Sequence, residues 1–373
     1  MKRKTKVVLI VISVFVLLCI PAVYYVINPF YFKSIKIEST TCDNLYNNIH
    51  SNISNGLVQV DNKLYYNYIG DPLKYGTYEI SDGVTKRVYW EGFDINGGKT
   101  LDLDKFYNGK FLKPHFTDKS NFEVDFYNLS NQKFEHCFTV NNPNNAELNG
   151  GFFIAEGVQY YYTSDCETKT PTLYRYADNK LELVLSKELI NLQNYNIEWF
   201  DNGYMYISTI DNTPSDDANA DCNYYICKYD IDNKKIVGRV RIPVTVEEYY
   251  SDKFTGCVLI QNDKIYSRRI LTNKDIIFVT DINNGTSKTV FESTDGSVII
   301  NGYGDTVYFG VEHGKNNGLY ELNNKTLEIK HILKNTDVSK LYLVDDKWIY
   351  YNSDSRDLFR ITTDGKTVEK VFG

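Results

Sequence analysis

The chain has 373 residues, of which 42% are hydrophobic and 15% aromatic, so it is long enough to bury a large core. Its formal net charge is −7 at pH 7, and four basic residues precede the first apolar run, so the rest of the chain is more acidic still. This balance argues against nucleic acid, anionic lipid or anionic wall polymers as electrostatic partners. Cations, neutral glycans and basic proteins are compatible with it.

The N-terminus has the pattern of a single membrane anchor. Residues 1–6 are basic and are predicted to be a cytoplasmic tail, because positive charges are retained on the cytoplasmic side. Residues 7–27 form a mostly apolar run that would span about 31 Å as a helix, the thickness of a bilayer core. The sequence therefore predicts one transmembrane helix at residues 7–27, a cell-membrane location, and an extracytoplasmic C-terminal domain.

A cleaved signal peptide is the alternative interpretation of this segment. Ile20-Pro21-Ala22 resembles the small-residue cleavage site of a signal peptide. The apolar run continues through Val23 and Val26-Ile27, which favours the anchor. Residues 28–55 follow as a polar linker, part of which could add a strand that helps to close the domain.

From Gly56 onward the chain repeats a unit of four short strands every 40–45 residues or so, a period typical of a β-propeller. The last unit shows the plan: Leu341–Val344, Trp348–Tyr351, Asp357–Ile361 and Val368–Phe372 are rich in strand-forming residues and are separated by turn residues. The sequence predicts an all-β propeller over residues 56–373 with about seven four-stranded blades. The predicted blades span residues 56–90, 93–140, 151–185, 197–242, 256–292, 298–333 and 341–372; six or eight blades are the alternatives.

Adjacent aromatic residues explain why these strands should form blades. Successive side chains on a strand point to opposite faces, so Tyr350-Tyr351 places one ring on each face of its sheet. A sheet that packs between two neighbours needs apolar groups on both faces. Doublets recur at Tyr65-Tyr66, Tyr160-Tyr161, Tyr224-Tyr225 and Tyr249-Tyr250. One Tyr per repeat is assigned to the second strands: Tyr66, Tyr107, Tyr161, Tyr206, Tyr266, Tyr308 and Tyr350.

The pattern Trp348-Ile-Tyr-Tyr-Asn352, Leu358-Phe-Arg-Ile361 and Asp364-Gly365 resembles the YWTD-type propellers of the low-density-lipoprotein receptor class. It is most similar to their bacterial extracytoplasmic relatives, whose function is largely unassigned. Asn352-Ser353 stands where the namesake motif has Thr-Asp, and seven repeats fit better than the six typical of those receptors. The resemblance therefore implies blade packing and carries over no ligand-contact residue.

One loop has the spacing of a calcium site. Asp217, Asn219, Asp221 and Asn223 place oxygen ligands on alternate residues. The loop lacks the sharp-turn glycine, because Cys222 stands there, and Lys228 occupies the position of the closing acid. The four residues are candidate Ca²⁺ ligands, and a solvated acidic loop is the alternative.

Other motifs indicate little chemistry. There is no Cys-x-x-Cys, and the five histidines do not cluster with the cysteines, which disfavours a zinc site; Cys222 and Cys227 are a candidate disulfide. Arg268-Arg269 is interpreted as a solvated basic pair. No spacing singles out a catalytic pair among the candidate carboxylates Glu91, Glu156, Glu198, Asp201, Glu247 and Glu248.

The sequence thus favours an extracytoplasmic, membrane-anchored binding module for an envelope protein or glycan, since rigid blades with variable loops suit recognition. One alternative is a channel-type propeller enzyme acting on envelope glycans. Another is the sensory ectodomain of a larger assembly.

Overall fold

The structure is a computed structural model. It describes residue 19 and residues 56–60, 62–71, 74–81, 84–90, 100–107, 110–116, 121–141, 152–155, 157–164, 171–177, 180–185, 195–210, 217–251, 253–353 and 357–373. The predicted tail, anchor and linker (1–6, 7–27 and 28–55) lie outside these residues, apart from Cys19. Among the described residues, none belongs to a helix with the length and apolar character needed to cross a membrane.

The described chain forms seven four-stranded antiparallel sheets, so the prediction of seven blades is confirmed. The first four blades are β1 (Leu57–Val60), β2 (Lys63–Tyr68), β3 (Gly76–Ser81) and β4 (Val84–Tyr89); β5 (Phe106–Tyr107), β6 (Lys110–Phe116), β7 (Asn121–Asn128) and β8 (Lys133–Asn141); β9 (Phe152–Ala155), β10 (Val158–Ser164), β11 (Pro171–Ala177) and β12 (Lys180–Leu183); β13 (Tyr195–Asp201), β14 (Tyr204–Ile210), β15 (Tyr224–Asp230) and β16 (Lys235–Arg241).

The last three blades follow the same plan. They are β17 (Phe254–Gln261), β18 (Lys264–Leu271), β19 (Lys274–Asp281) and β20 (Ser287–Thr294); β21 (Ser297–Tyr303), β22 (Thr306–Glu312), β23 (Gly318–Asn323) and β24 (Ile329–Lys334); β25 (Lys340–Val344), β26 (Trp348–Asn352), β27 (Leu358–Thr362) and β28 (Val368–Phe372). A short helix, α1 (Val246–Tyr250), joins blades four and five.

The strands of each blade are paired in chain order, and the first strands of several neighbouring blades contact one another. The first strands therefore lie nearest the ring axis. Fourth strands such as β16 and β20 are largely exposed, with only partly or fully buried residues between the exposed ones, as expected at the periphery. We call the ring face where first strands begin and second strands end the upper face, and the opposite one the lower face.

The doublets Tyr350-Tyr351 and Tyr65-Tyr66 pack as the sequence predicts. Tyr350 is buried in a cluster with blade one, and Tyr351 is buried in a cluster with blade six. Tyr65 and Tyr66 divide in the same way between blades two and seven. Because each sheet presents rings on both faces, blades stack face to face around the axis.

Blade two departs from the prediction. The sequence predicts that Tyr107 lies on the second strand of this blade, but residues 103–105 form a 3₁₀ turn and the first strand is only Phe106–Tyr107. The placement of Tyr107 on a second strand is therefore wrong. The sequence Asn108-Gly109, a strong hairpin signal, separates Tyr107 from the second strand at Lys110 and could have shown this.

The doublet Tyr249-Tyr250 lies between the predicted blades four and five and belongs to α1, where Thr245 and Glu248 form a capping box. Cys222 and Cys227 are both free thiols. They are buried in different clusters on the two faces of blade four, so the proposed disulfide between them is wrong.

Candidate functional site

The upper face carries a cleft of about 570 Å³ where blades six, seven and one meet. This volume lies within the range of small-ligand pockets. Its lining comes from the ends of second strands and the starts of first strands, and includes Tyr66, Asn67, Glu312, Lys340, Tyr342 and Asn352. The cleft therefore exists only because the ring closes between the last blade and the first.

Two tyrosine rings form the buried wall of this cleft. Tyr66 and Tyr342 pack edge to face with centroids 5.9 Å apart, and Asn352 Nδ2 donates to the Tyr66 hydroxyl at 3.1 Å. Gly56 permits the approach of the chain to Tyr342, since a Cβ there would lie 2.9 Å from ring atom Cε1. Burial raises the pKa of Tyr66 to about 12 and raises the pKa of Tyr342, so both hydroxyls are neutral at physiological pH.

Asn67 fixes the opposite wall. Its Nδ2 donates to the carbonyl of Leu101 at 2.8 Å, and its Oδ1 accepts from Thr77 Oγ1 at 2.7 Å. The Leu101 amide in turn donates to Thr77 Oγ1 at 2.9 Å. This network joins β2, β3 and the entry to blade two, so the wall is rigid before any ligand arrives.

Two charged residues of the cleft are available to a ligand. Lys340 is exposed and Glu312 is half-buried, and neither forms an ion pair with any residue that the structure describes. A cation and a carboxylate in a concave, water-accessible site can both form charge-assisted hydrogen bonds with a polar ligand. Neither residue stands out in the sequence, because blades six and seven are brought to blade one only in the closed ring.

The predicted calcium residues lie on the upper face of blade four, in the connection between its second and third strands. The Asp217 carboxylate accepts from the backbone amide of Asn219 at 2.9 Å, and Asp221 pairs with Arg241 at 2.9 Å. The loop also docks on α1, because the amides of Val246 and Glu247 donate to the carbonyls of Ala220 and Ala218. The carboxylates of Asp217 and Asp221 and two backbone carbonyls of the loop therefore already take part in contacts that hold the loop in place.

The Ca²⁺ site at Asp217, Asn219, Asp221 and Asn223 stays a prediction, and Arg241 offers a sharp test of it. A calcium ion would have to displace the Arg241 guanidinium from Asp221. We expect Arg241→Ala to bind Ca²⁺ more tightly than the natural chain, as measured by calorimetric titration and the rise in melting temperature. If neither protein shows a heat of Ca²⁺ binding, the predicted calcium site is wrong.

The candidate catalytic carboxylates have separate local roles where the structure describes them. Glu198 on β13 accepts from Ser208 at 2.5 Å, Glu247 pairs with Lys253 at 2.7 Å, and Glu248 pairs with Arg269 at 2.7 Å. Asp201 lies at the lower end of β13 and accepts from Asn202. Glu91 and Glu156 lie outside the described residues.

No family model and no curated protein matches this chain. The fold is similar to that of the uncharacterized protein lmo1340 from Listeria monocytogenes EGD-e, with 11% identity, a TM-score of 0.47, and 91% of this chain and 97% of that chain covered. It is also similar to Pyrococcus horikoshii acylaminoacyl peptidase (14% identity, TM-score 0.41, 71% of this chain) and to TolB from Acinetobacter baumannii (11%, 0.35, 70% of this chain and 68% of that one). The chain spans only 46% of the peptidase.

All three TM-scores lie below 0.5, so the architecture is established by the seven sheets of this chain rather than by likeness. The class of protein that these sheets define is a seven-bladed β-propeller. The membership in the YWTD-type class that the motifs suggested stays unconfirmed.

Proposed function

We propose that this protein is a binding module that recognises a partner at the cell envelope through the upper-face cleft. The observation that carries the proposal is the pair Lys340 and Glu312, which stand without an ion-pair partner among the described residues in a pre-formed concave site. Covering charged groups in such a site costs free energy unless the ligand supplies matching polar groups. The partner would therefore be polar: a segment of an envelope protein or a glycan.

The placement at the envelope comes from residues 7–27, whose apolar run would anchor the propeller on the outer side of the membrane. An acidic domain in that position favours neutral or basic ligands over anionic polymers. The rigid walls built by Tyr66, Tyr342 and Asn67 lower the conformational cost of binding.

We expect Lys340→Ala combined with Glu312→Ala to weaken partner binding at least tenfold, because each charge-assisted hydrogen bond contributes about 1.5–3 kcal/mol. The measurement is capture of envelope components by the full-length protein and by this variant. Lys366→Ala, at an exposed residue of the lower face paired with Asp364, is the matched control and should bind as the natural chain does.

Digestion of the extract with protease or with glycosidases distinguishes a protein partner from a glycan. Capture no greater than that by residues 1–55 alone would contradict the proposal. Equal capture by the double variant would place binding elsewhere on the propeller.

A further inference from the structure

Four potential metal ligands come together on three adjacent strands of blade two. His115 on β6 stands directly opposite Glu123 on β7, and Asp125 on β7 stands directly opposite His136 on β8. Glu123 and Asp125 are two residues apart on one strand, so they share a face. A shift in register between Val124 and Asp125 brings His136 opposite Asp125.

The side-chain atoms are close enough to share an ion. His115 Nε2 lies 3.4 Å from Glu123 Oε2, and His115 Nδ1 lies 3.7 Å from Asp125 Oδ2. One ligand atom from each of His115, Glu123 and Asp125 can be chosen so that all lie within 4.8 Å of one another. In a tetrahedral site with bonds of about 2.1 Å, neighbouring ligand atoms are about 3.4 Å apart.

His136 extends the group. Its Nδ1 lies 3.6 Å from Asp125 Oδ1, and its Nε2 lies 3.3 Å from the hydroxyl of Thr139. A hydrogen bond at Nε2 fixes the orientation of the ring and leaves Nδ1 directed at the carboxylate. His136 is not one of the three residues whose ligand atoms all lie within 4.8 Å of one another, so it would join the ligand set only if its side chain moves towards the ion.

Nearby cations do not neutralise these carboxylates. Within the described chain, neither Glu123 nor Asp125 forms an ion pair with a lysine or arginine. Lys113, which shares the strand with His115, places its ammonium over the ring of Phe134 at 4.6 Å from the centroid. The cluster thus places two carboxylates beside two imidazoles, with no lysine or arginine paired to either carboxylate in the described chain.

We propose that His115, Glu123, Asp125 and His136 bind a divalent transition-metal ion such as Zn²⁺. The mixture of imidazole nitrogen and carboxylate oxygen suits zinc and its neighbours, whereas calcium and magnesium prefer oxygen ligands alone. The ligands are one-quarter to one-half exposed, so an ion can enter from solvent. Because the ligands come from β6, β7 and β8, the ion would cross-link three strands of the blade whose first strand has only two residues.

The test is a titration of the metal-free full-length protein with Zn²⁺, followed by calorimetry and by metal content after gel filtration. We expect the natural chain to bind one Zn²⁺, and we expect His115→Gln and Asp125→Asn to lose this binding or to lower its affinity at least tenfold. Zn²⁺ should raise the melting temperature of the natural chain only. His136→Gln should weaken binding by about tenfold. Equimolar Ca²⁺ or Mg²⁺ should not compete.

His313→Asn is the matched control, because His313 also stands beside an aspartate, with Nδ1 3.5 Å from Asp337 Oδ1, but without further ligands in the described chain. Asn tolerates the left-handed backbone at that position, where φ is 64°. Circular dichroism of the metal-free variants verifies folding, and Glu123→Gln provides an independent variant if one of them fails to fold. Zinc binding that survives both His115→Gln and Asp125→Asn, or no binding by the natural chain, would overturn the proposal.

Discussion

Replacing Asp275 with alanine should lower the free energy of unfolding by about 3–5 kcal/mol, the cost of leaving a buried charge without its partner. The Asp275 side chain is only 4% exposed and accepts from Arg268 Nε at 2.9 Å through each of its two oxygens. It also accepts from the backbone amide of Val298 at 2.8 Å. Because Val298 belongs to blade six, this one carboxylate ties blade five to its neighbour.

The control for Asp275→Ala is Glu182→Gln in blade three. Glu182 pairs with Arg175 at 2.8 Å, a distance similar to that at Asp275, but its side chain is 49% exposed. Exposed pairs contribute about 0–1 kcal/mol. Denaturant unfolding of both variants measures the difference, and equal losses would contradict the view that burial of Asp275 decides its contribution.

The contact between Arg268 and Asp275 is not visible in the sequence. Arg268-Arg269 was interpreted as a solvated pair, but Arg268 is bound to buried Asp275 and Arg269 to Glu248 of α1. The strand of Arg268 is directly paired with the strand of Asp275, and the two residues are separated by seven positions along the chain. Such a pair can be recognised only when the strand register is known.

The architecture was predictable because it depends on local patterns. Turn residues mark the strand ends, and adjacent tyrosines require two buried faces, so the chain near Tyr350-Tyr351 specifies a blade by itself. At blade two the assignment of Tyr107 to the second strand is wrong, because the turn signal Asn108-Gly109 separates Tyr107 from that strand. A turn signal that interrupts an apolar run should outweigh the run.

The candidate sites depend on contacts between distant segments. Glu312 and Lys340 line the cleft together with Asn67, more than 240 positions earlier in the chain, and no spacing reveals this. In the sequence His115 and His136 do not cluster with cysteines, and this pattern disfavours zinc. Cross-strand pairing in the fold places them beside carboxylates instead. Blade periodicity is therefore easier to predict than the chemistry between or across strands.

Closure of the ring is the contact on which the cleft depends most. Tyr66 of blade one is 2% exposed and packs against Phe372 and Tyr342 of blade seven, with ring centroids 5.2 Å and 5.9 Å away. We expect Tyr66→Ala to lower the free energy of unfolding by about 3–5 kcal/mol, as for other large aromatic side chains truncated in a core. Tyr66→Phe keeps the ring and loses the hydrogen bonds of the hydroxyl, including those with Asn352 and Tyr342, so it should cost about 0.5–1.5 kcal/mol for each bond lost.

Tyr250→Ala is the matched control for Tyr66→Ala, because it removes the same side chain from a position that is 60% exposed on α1. Its effect should stay within about 0.5 kcal/mol. If Tyr66 closes the ring, Tyr66→Ala should also weaken partner capture through the cleft, while Tyr66→Phe retains it. A Tyr66→Ala protein as stable as Tyr250→Ala would mean that the first and last blades are held together without this ring, and the rigid cleft wall would then need another origin.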